Sequence, residues 1–251
     1  MRVLAIGIGA GDPEHMTLQA IRAIGECDVL FVVEKPGPRD EMAALRREIC
    51  ARHATAEQRI VSVADAVRDR ATPAYRGAVD AWRDERRALW GAALRDELGA
   101  GETGGFLVWG DPALYDSTIA ILGEIGIDFD VIPGISSIQV LAAQHRIPLN
   151  RVGGAVLITP GRLLREGWPA GATDVVVMLD ASAAYRGFAG EDLEIFWGAY
   201  LGTPDEVLVS GPLSEAVMGE IEEKRGAARE RKGWIMDSYV LRRPLEAERD
   251  E

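Results

Sequence analysis

The stretch Val3-Leu-Ala-Ile-Gly-Ile-Gly-Ala-Gly-Asp-Pro13 is an apolar run that ends in three closely spaced glycines. An unbroken apolar run of this kind predicts a strand buried on both faces, which is typical of a parallel sheet. Glycines lack a Cβ atom, so the turn after the strand can bring backbone amides close to a ligand. A plain turn between a strand and a helix would use the same glycines, so this pattern alone leaves both interpretations open.

Two further glycine-bearing stretches follow predicted strands. They are Val108-Trp-Gly-Asp-Pro-Ala-Leu-Tyr115 and Val131-Ile-Pro-Gly-Ile-Ser-Ser137. Asp111 and the two serines are placed either to cap the next helix or to contact a ligand. Because the carboxyl ends of parallel strands meet at one edge of a sheet, we expect all three turns to line the same cleft.

Strand-like and helix-like segments alternate through the first part of the chain, including a long amphipathic segment from Pro73 to about Leu98. Such alternation implies right-handed crossovers onto a mostly parallel sheet. The pattern relaxes around Pro148 and Gly153-Gly154, and the remainder is rich in short strands. We therefore expect two α/β domains: 1–147, with a mostly parallel sheet, and 152–251, with a mixed sheet.

The composition excludes several classes of protein. The chain has 251 residues, 40 acidic and 28 basic, so its formal net charge is −12. General nucleic-acid binding needs a cationic face, which this balance argues against. No stretch approaches the length of a membrane-spanning helix, and Cys27 and Cys50 form neither a disulfide framework nor a metal motif. We expect a cytoplasmic protein with no nucleic-acid, membrane or metal partner.

A dinucleotide-binding fold is the obvious alternative, with Glu34 at the end of the second strand as the ribose-binding acid. The glycine spacing fits it poorly, because the third glycine comes one residue early. Asp12-Pro13 also intervenes before the helix begins near Thr17, and Asp12 would repel a pyrophosphate. The sequence therefore disfavours nicotinamide chemistry.

Taken together and in this order, the motifs GIGAGDP, GDPALYDS and VIPGISSIQVLAA resemble the tetrapyrrole (corrin/porphyrin) methylase family. The resemblance covers essentially the whole chain. It implies two α/β domains with S-adenosylmethionine (SAM) in the interdomain cleft, usually in a homodimer. It also implies a SAM-dependent C-methyltransferase of cobalamin (corrin) biosynthesis that acts on a tetrapyrrole. The inserted region, with Glu34-Lys-Pro-Gly37 and the long helix, resembles members that also release an acetyl unit as acetate.

The resemblance carries site residues with it, motif by motif. The SAM contacts that it implies are Ala10, Asp111, Leu114, Ser136, Ser137, Met178, Leu179 and Ser210. Methyl transfer needs alignment and a desolvated cleft, and no metal. Release of acetate needs a general base as well.

The sequence does not choose the base among Asp12, Glu34, Tyr115, Asp116 and His145. We rank Asp12 and Glu34 first, because they follow the first two predicted strands.

The substrate's carboxylates call for local arginine or lysine side chains, whose donors suit them. Lys35 and Arg39 are the first candidates. Further candidates are Arg46, Arg47, Arg151 and Arg162.

Three alternatives stay open at this point. The chain could be a sibling in the same family that acts on another precorrin, a non-catalytic SAM-binding module, or a nicotinamide-binding protein.

Overall fold

The computed structural model describes residues 1–34, 41–67 and 75–244. They form two compact units, one of Met1–Ser136 and one that begins at Ser137. Each unit is built around its own five-stranded sheet. No helix in the described ranges is long and apolar enough to span a membrane.

The first unit contains an all-parallel sheet with strand order β3-β2-β4-β1-β5. Its strands are β1 (Arg2–Gly7), β2 (Val29–Glu34), β3 (Arg59–Ala64), β4 (Thr103–Val108) and β5 (Phe129–Ile132). Its helices are α1 (Leu18–Gly25), α2 (Glu41–His53), α3 (Tyr75–Glu97) and α4 (Thr118–Ile125). Helices α1 and α2 pack on one face and α3 and α4 on the other. The predicted mostly parallel sheet is therefore confirmed.

The apolar strands form because both faces of the sheet are covered. On the α3 side, Phe106 stacks between Phe31 and Trp90, with ring centroids 4.9 and 4.5 Å apart. On the α1 side, a Cβ atom on Gly105 would lie 2.7 Å from the sulfur of Cys27, so the absence of a side chain lets β4 approach the segment between α1 and β2.

Neighbouring strands β1 and β4 are followed by helices on opposite faces of the sheet. Their connecting loops therefore diverge, which opens a crevice at the carboxyl edge of the sheet. Helix α1 begins where the sequence predicts, and Thr17 Oγ1 caps it by accepting from Ala20 N at 3.0 Å.

The second unit contains a mixed sheet with strand order β6-β7-β10-β8-β9, in which only β6 and β7 are parallel. Its strands are β6 (Val156–Pro160), β7 (Asp174–Met178), β8 (Glu194–Ala199), β9 (Val207–Pro212) and β10 (Asp237–Arg242). Its helices are α5 (Ser137–His145), α6 (Gly161–Leu164) and α7 (Glu215–Lys232). The predicted mixed sheet is also confirmed.

Helix α5 belongs to the second unit, whereas the sequence pattern predicts it at the end of the first domain. It packs closely on β8: a Cβ atom on Gly198 would lie 2.9 Å from Leu141 Cδ1. At the end of the helix, His145 Nε2 lies 3.0 Å from Trp197 O. The loop composition that suggested a boundary between 147 and 152 does not reveal which sheet the preceding helix contacts.

Candidate functional site

The three glycine-bearing turns of the first unit meet at the carboxyl edge of its sheet. A Cβ atom on Gly7 would lie 2.5 Å from Gly134 N, and one on Gly134 would lie 2.2 Å from Gly110 O. Real Cβ atoms do not approach this closely, and the blocking atoms belong to the backbone. Gly7 and Gly134 are therefore needed because any side chain there would overlap the backbone of a neighbouring turn. The predicted convergence of the three strand ends is observed.

The turns after β1 and β4 are also hydrogen-bonded to each other. Gly110 N donates to Gly9 O at 2.8 Å, and Gly9 N donates to Gly110 O at 3.3 Å, forming an antiparallel bridge. Gly9 and Gly110 have φ angles of +83° and +70°, in the left-handed region that favours glycine. The bridge joins two loops that leave parallel strands in opposite directions.

Asp111 joins the second turn to the third. Its Oδ1 accepts from Ala113 N at 2.8 Å, and its Oδ2 accepts from Gly134 N at 2.9 Å. The carboxylate is thus neither a cap for helix α4 nor held only by its own turn. It fixes the relative position of the turns that carry Leu114 and Ser136.

The rest of the second turn holds a strained residue. Tyr115 has φ +51°, which is costly for a residue with a Cβ atom, and its side chain is exposed. Asp116 Oδ1 accepts from Thr118 N at 2.6 Å at the start of α4. A strained, exposed residue at a glycine-lined sheet edge is a feature of ligand-binding turns.

The first turn carries Ala10, Asp12 and His15. Ala10 is buried and follows the bridge at Gly9. Asp12 Oδ1 accepts from Glu14 N at 2.8 Å and so caps a short 3-10 turn, Pro13–His15. The His15 side chain packs against Gly9, and its buried Nδ1 has no hydrogen-bond partner among the described residues. His15 was not among the site residues predicted from the sequence, where the only signal was its position two residues after the GDP motif.

Glu34 ends β2 as predicted, and its carboxylate is ion-paired with Arg47. Ser62 Oγ on the neighbouring strand donates to the same Glu34 oxygen at 3.2 Å. Arg46 points elsewhere: Nε donates to Leu107 O at 2.8 Å and Nη1 to Val33 O at 3.2 Å. The β2–β4 pairing ends before these two carbonyls, so Arg46 bonds to strand ends that have separated.

Two other candidates from the sequence, His145 and Arg151, contact protein groups. His145 contacts the Trp197 carbonyl, and its burial lowers the pKa of the imidazole below its ordinary value. Arg151 is largely buried, with Nε 3.5 Å from Asp174 Oδ2. Arg162 is exposed, and Lys35 and Arg39 lie outside the described residues.

In the second unit, β7 ends in a strained turn. Leu179 has φ +53° and is 66% exposed, which is unusual for a leucine. The next residue, Asp180, is buried and accepts from Ser182 N and Oγ, from Ala184 N and from the Tyr239 hydroxyl. Burial acts to raise the pKa of Asp180, but these hydrogen bonds outweigh it and hold the pKa below its ordinary value.

The other predicted contacts of this unit lie at element ends. Ser137 is the first residue of α5, and Met178 is the last residue of β7. Ser210 is exposed on β9 next to Gly211.

The site in the first unit is built mainly from backbone groups and glycines. Such a site can hold a polar ligand by its amides and carbonyls. Asp12 and Glu34 are the first acidic side chains at or after the ends of β1 and β2.

Comparisons with known proteins agree with this architecture. The model of the family "Tetrapyrrole (Corrin/Porphyrin) Methylases" matches residues 2–217. A precorrin-6A synthase [deacetylating] from Sinorhizobium sp. is 49% identical over 249 residues, covering 96% of this chain and 95% of the relative.

Solved structures show the same fold. A cobalamin-synthesis-related protein from Corynebacterium diphtheriae has a TM-score of 0.83 at 36% identity, covering 96% of this chain and 98% of that one. A uroporphyrin-III C-methyl transferase from Thermus thermophilus, complexed with S-adenyl homocysteine, has a TM-score of 0.58 at 21% identity, with full coverage of both chains. The family match over most of the chain and the similarity along nearly all of the Sinorhizobium relative lead to one conclusion: the chain belongs to the tetrapyrrole (corrin/porphyrin) methylase family.

Proposed function

We propose that the protein is a precorrin-6A synthase (deacetylating), a SAM-dependent methyltransferase of cobalamin biosynthesis. In this reaction C1 of precorrin-5 is methylated and the extruded acetyl unit is released as acetate. The observation that carries the proposal is the meeting of the turns at Gly7, Gly110 and Gly134, which gathers backbone amides and carbonyls at one edge of the sheet. The 49% identity to the Sinorhizobium synthase along nearly its whole length supports the choice within the family.

The glycines at 7 and 134 let the three turns pack backbone against backbone. Backbone amides and carbonyls gathered in this way suit the polar groups of SAM, the proposed methyl donor. In the first unit the contacts would come from Ala10, Asp111, Leu114 and Ser136. In the second unit we propose Ser137, Met178, Leu179 and Ser210. Asp111 would act through position, because both its oxygens already accept backbone N–H groups.

Methyl transfer is an in-line displacement. The ring carbon attacks the methyl group, the carbon–sulfur bond of SAM breaks, and S-adenosylhomocysteine leaves with the electron pair. Fixed backbone turns suit this step, because its rate depends on holding the two reacting carbons in line and out of water.

Release of acetate requires water to add to the acetyl carbonyl while a base takes one of its protons. The carbon–carbon bond to the ring then breaks, and the electron pair left on the ring carbon is the pair that forms its new bond to the methyl carbon of SAM. Asp12 and Glu34 are the proposed bases. The Glu34 carboxylate is ion-paired with Arg47, whereas Asp12 lies within the glycine-rich turn and its Oδ1 accepts a backbone N–H. We therefore place Asp12 ahead of Glu34 as the base.

Substrate carboxylates would be bound by Lys35 and Arg39, which follow β2 in the sequence. We further propose a cytoplasmic homodimer without nucleic-acid or membrane partners. Sedimentation at several protein concentrations tests the dimer.

The first experiment is a titration calorimetry series with SAM, S-adenosylhomocysteine and NADH. We expect the first two to bind and NADH not to bind, and the reverse would overturn the proposal. Turnover with precorrin-5 should then release S-adenosylhomocysteine and acetate in equal amounts. S-adenosylhomocysteine without acetate would instead indicate another precorrin methyltransferase of the family.

The base is tested by Asp12→Asn with Glu14→Gln as its matched control. Asparagine keeps an oxygen that can cap Glu14 N, and Glu14 is an exposed acid in the same turn. We expect Asp12→Asn to lower acetate release by about 100-fold or more while SAM binding is kept. Unchanged acetate release would remove Asp12 from this role.

A further inference from the structure

Arg86 of helix α3 binds segments that follow two different strands. Its Nε donates to Asp65 Oδ1 at 2.6 Å, with a longer contact of 3.4 Å from Nη2 to Oδ2. Its Nη1 donates to Ser117 Oγ at 2.7 Å. Asp65 directly follows β3, and Ser117 ends the turn after β4, so one guanidinium fixes both to α3.

This contact is shielded from solvent. The side chains of Arg86 and Asp65 are only 13% and 3% exposed. The guanidinium carbon lies 4.7 Å from the ring centroid of Trp82 and 4.8 Å from that of Trp90. Trp82 Nε1 donates in turn to Ala66 O at 3.0 Å. A planar, forked donor fits this arrangement, which a lysine ammonium cannot reproduce.

The same cluster reaches the end of β2. Asp65 N donates to Glu34 O at 2.7 Å. Through Asp65, Arg86 is therefore connected to the ends of β2 and β3, and through Ser117 to the turn that contains Leu114 and Tyr115.

The Ser117 hydroxyl is hydrogen-bonded to Arg86 and not to the backbone of its own helix. Serine at the N-cap of a helix ordinarily accepts from a backbone N–H of the first turn. Ser117 occupies the N-cap of α4 but makes no such bond, and Asp116 accepts from Thr118 N instead. The Ser117 oxygen accepts from Arg86, two residues after the strained Tyr115. Strained backbone persists only where its surroundings hold it.

We propose that Arg86 is a positioning residue that holds the turn of residues 110–117 in its ligand-binding conformation through Ser117. The inference rests on the proposed function, in which this turn contacts SAM. It adds a role for the long inserted helix α3, which would hold the cofactor-binding turn in place through the hydrogen bond from Arg86 to Ser117.

The test is a double-substitution cycle read by the dissociation constant for SAM. Ser117→Ala removes the acceptor, and Arg86→Lys keeps the charge beside Asp65 while it removes the fork. We expect each to weaken SAM binding about fivefold, and the double variant to weaken it no further, because both remove the same contact. Ser117→Thr keeps the hydroxyl and should restore binding to within about twofold.

Arg83→Ala is the matched control, because Arg83 on the same helix pairs with Glu124 in a partly exposed ion pair at 2.7 Å. It should leave SAM binding unchanged. Thermal unfolding shows whether Arg86→Lys is folded, and Ser117→Ala tests the contact without touching the buried charge.

Wild-type SAM affinity in Ser117→Ala, or independent additive effects of the two substitutions, would overturn the proposal. If the wild-type protein itself bound no SAM, the proposed function would fail instead.

Discussion

Gly134→Ala tests whether the close approach of three turns is a requirement of the site. The new Cβ atom would lie 2.2 Å from Gly110 O and 2.8 Å from Gly7 C. Ordinary contact needs a separation more than about 1 Å larger than the first of these. Both obstacles are backbone atoms, so no side-chain rotation relieves the overlap. The third turn must move away from the other two.

That movement has a cost that can be worked out from the contacts. It breaks the 2.9 Å hydrogen bond from Gly134 N to Asp111 and disturbs the bridge in which Gly110 O accepts from Gly9. Two hydrogen bonds at about 1 kcal/mol each, plus about 1–3 kcal/mol for overpacking, give a loss of about 3–5 kcal/mol. For a unit of this size we expect the Tm to fall by about 10 °C or more.

The assay combines thermal unfolding with calorimetric titration of SAM at a temperature where the variant is folded. We expect SAM binding to weaken at least about tenfold, since the turns no longer meet. Gly123→Ala is the matched control: Gly123 lies inside α4, and a Cβ atom added there would have no heavy atom within 4 Å. That variant should be about 0.5–1 kcal/mol more stable than wild type and bind SAM normally. A Gly134→Ala protein with wild-type Tm and affinity would refute the reasoning.

Buried groups lead to three other predictions. Burial raises the pKa of the Cys27 thiol to about 12 and that of Cys50 to about 11, so neither should react with a thiol reagent at pH 8 until the protein unfolds; rapid labelling of the folded protein would contradict this. The pKa of Asp180 is lowered in the folded state, so its stabilising effect is present above its unfolded pKa of about 3.9 and is lost as the pH falls through the folded value. Denaturant midpoints at pH 5 and pH 3 should therefore differ more for the wild type than for Asp180→Asn, and equal differences would exclude this role. Arg46→Ala should destabilise the first unit by about 2 kcal/mol, because it leaves the Leu107 and Val33 carbonyls without this donor. Differential scanning calorimetry measures the change, and an unchanged Tm would show that these two hydrogen bonds are dispensable.

Local patterns in the sequence were sufficient to predict both sheets and the meeting of the three turns. A strand with a glycine at or just after its end occurs three times, at Gly7, Gly110 and Gly134, and this pattern predicts turns that can approach one another closely. The parallel order of the strands follows from their alternation with helices. These features depend on neighbours in the chain, which is why a single sequence reveals them.

Long-range partners could not be predicted in the same way. Arg46 was a candidate for substrate carboxylates, yet it donates to two strand carbonyls. Asp111 was expected either to cap the next helix or to contact a ligand, and neither expectation included the hydrogen bond that it accepts from Gly134 N. Helix α5 has an apolar face that would suit either sheet, and only its packing on β8 assigns it to the second unit. Each of these contacts depends on residues that are far apart in the sequence and adjacent only in the folded structure.

The bridge between Gly9 and Gly110 has a consequence for how members of such a fold can diverge. It consists entirely of peptide groups, so mutation of the side chains around it leaves its two hydrogen bonds in place. Neighbouring side chains, such as those of Ala10 and Leu114, can therefore be exchanged while the backbone that carries them keeps its hydrogen bonds. In these few residues the side chains can vary from one family member to another, while the peptide groups maintain the geometry of the turns.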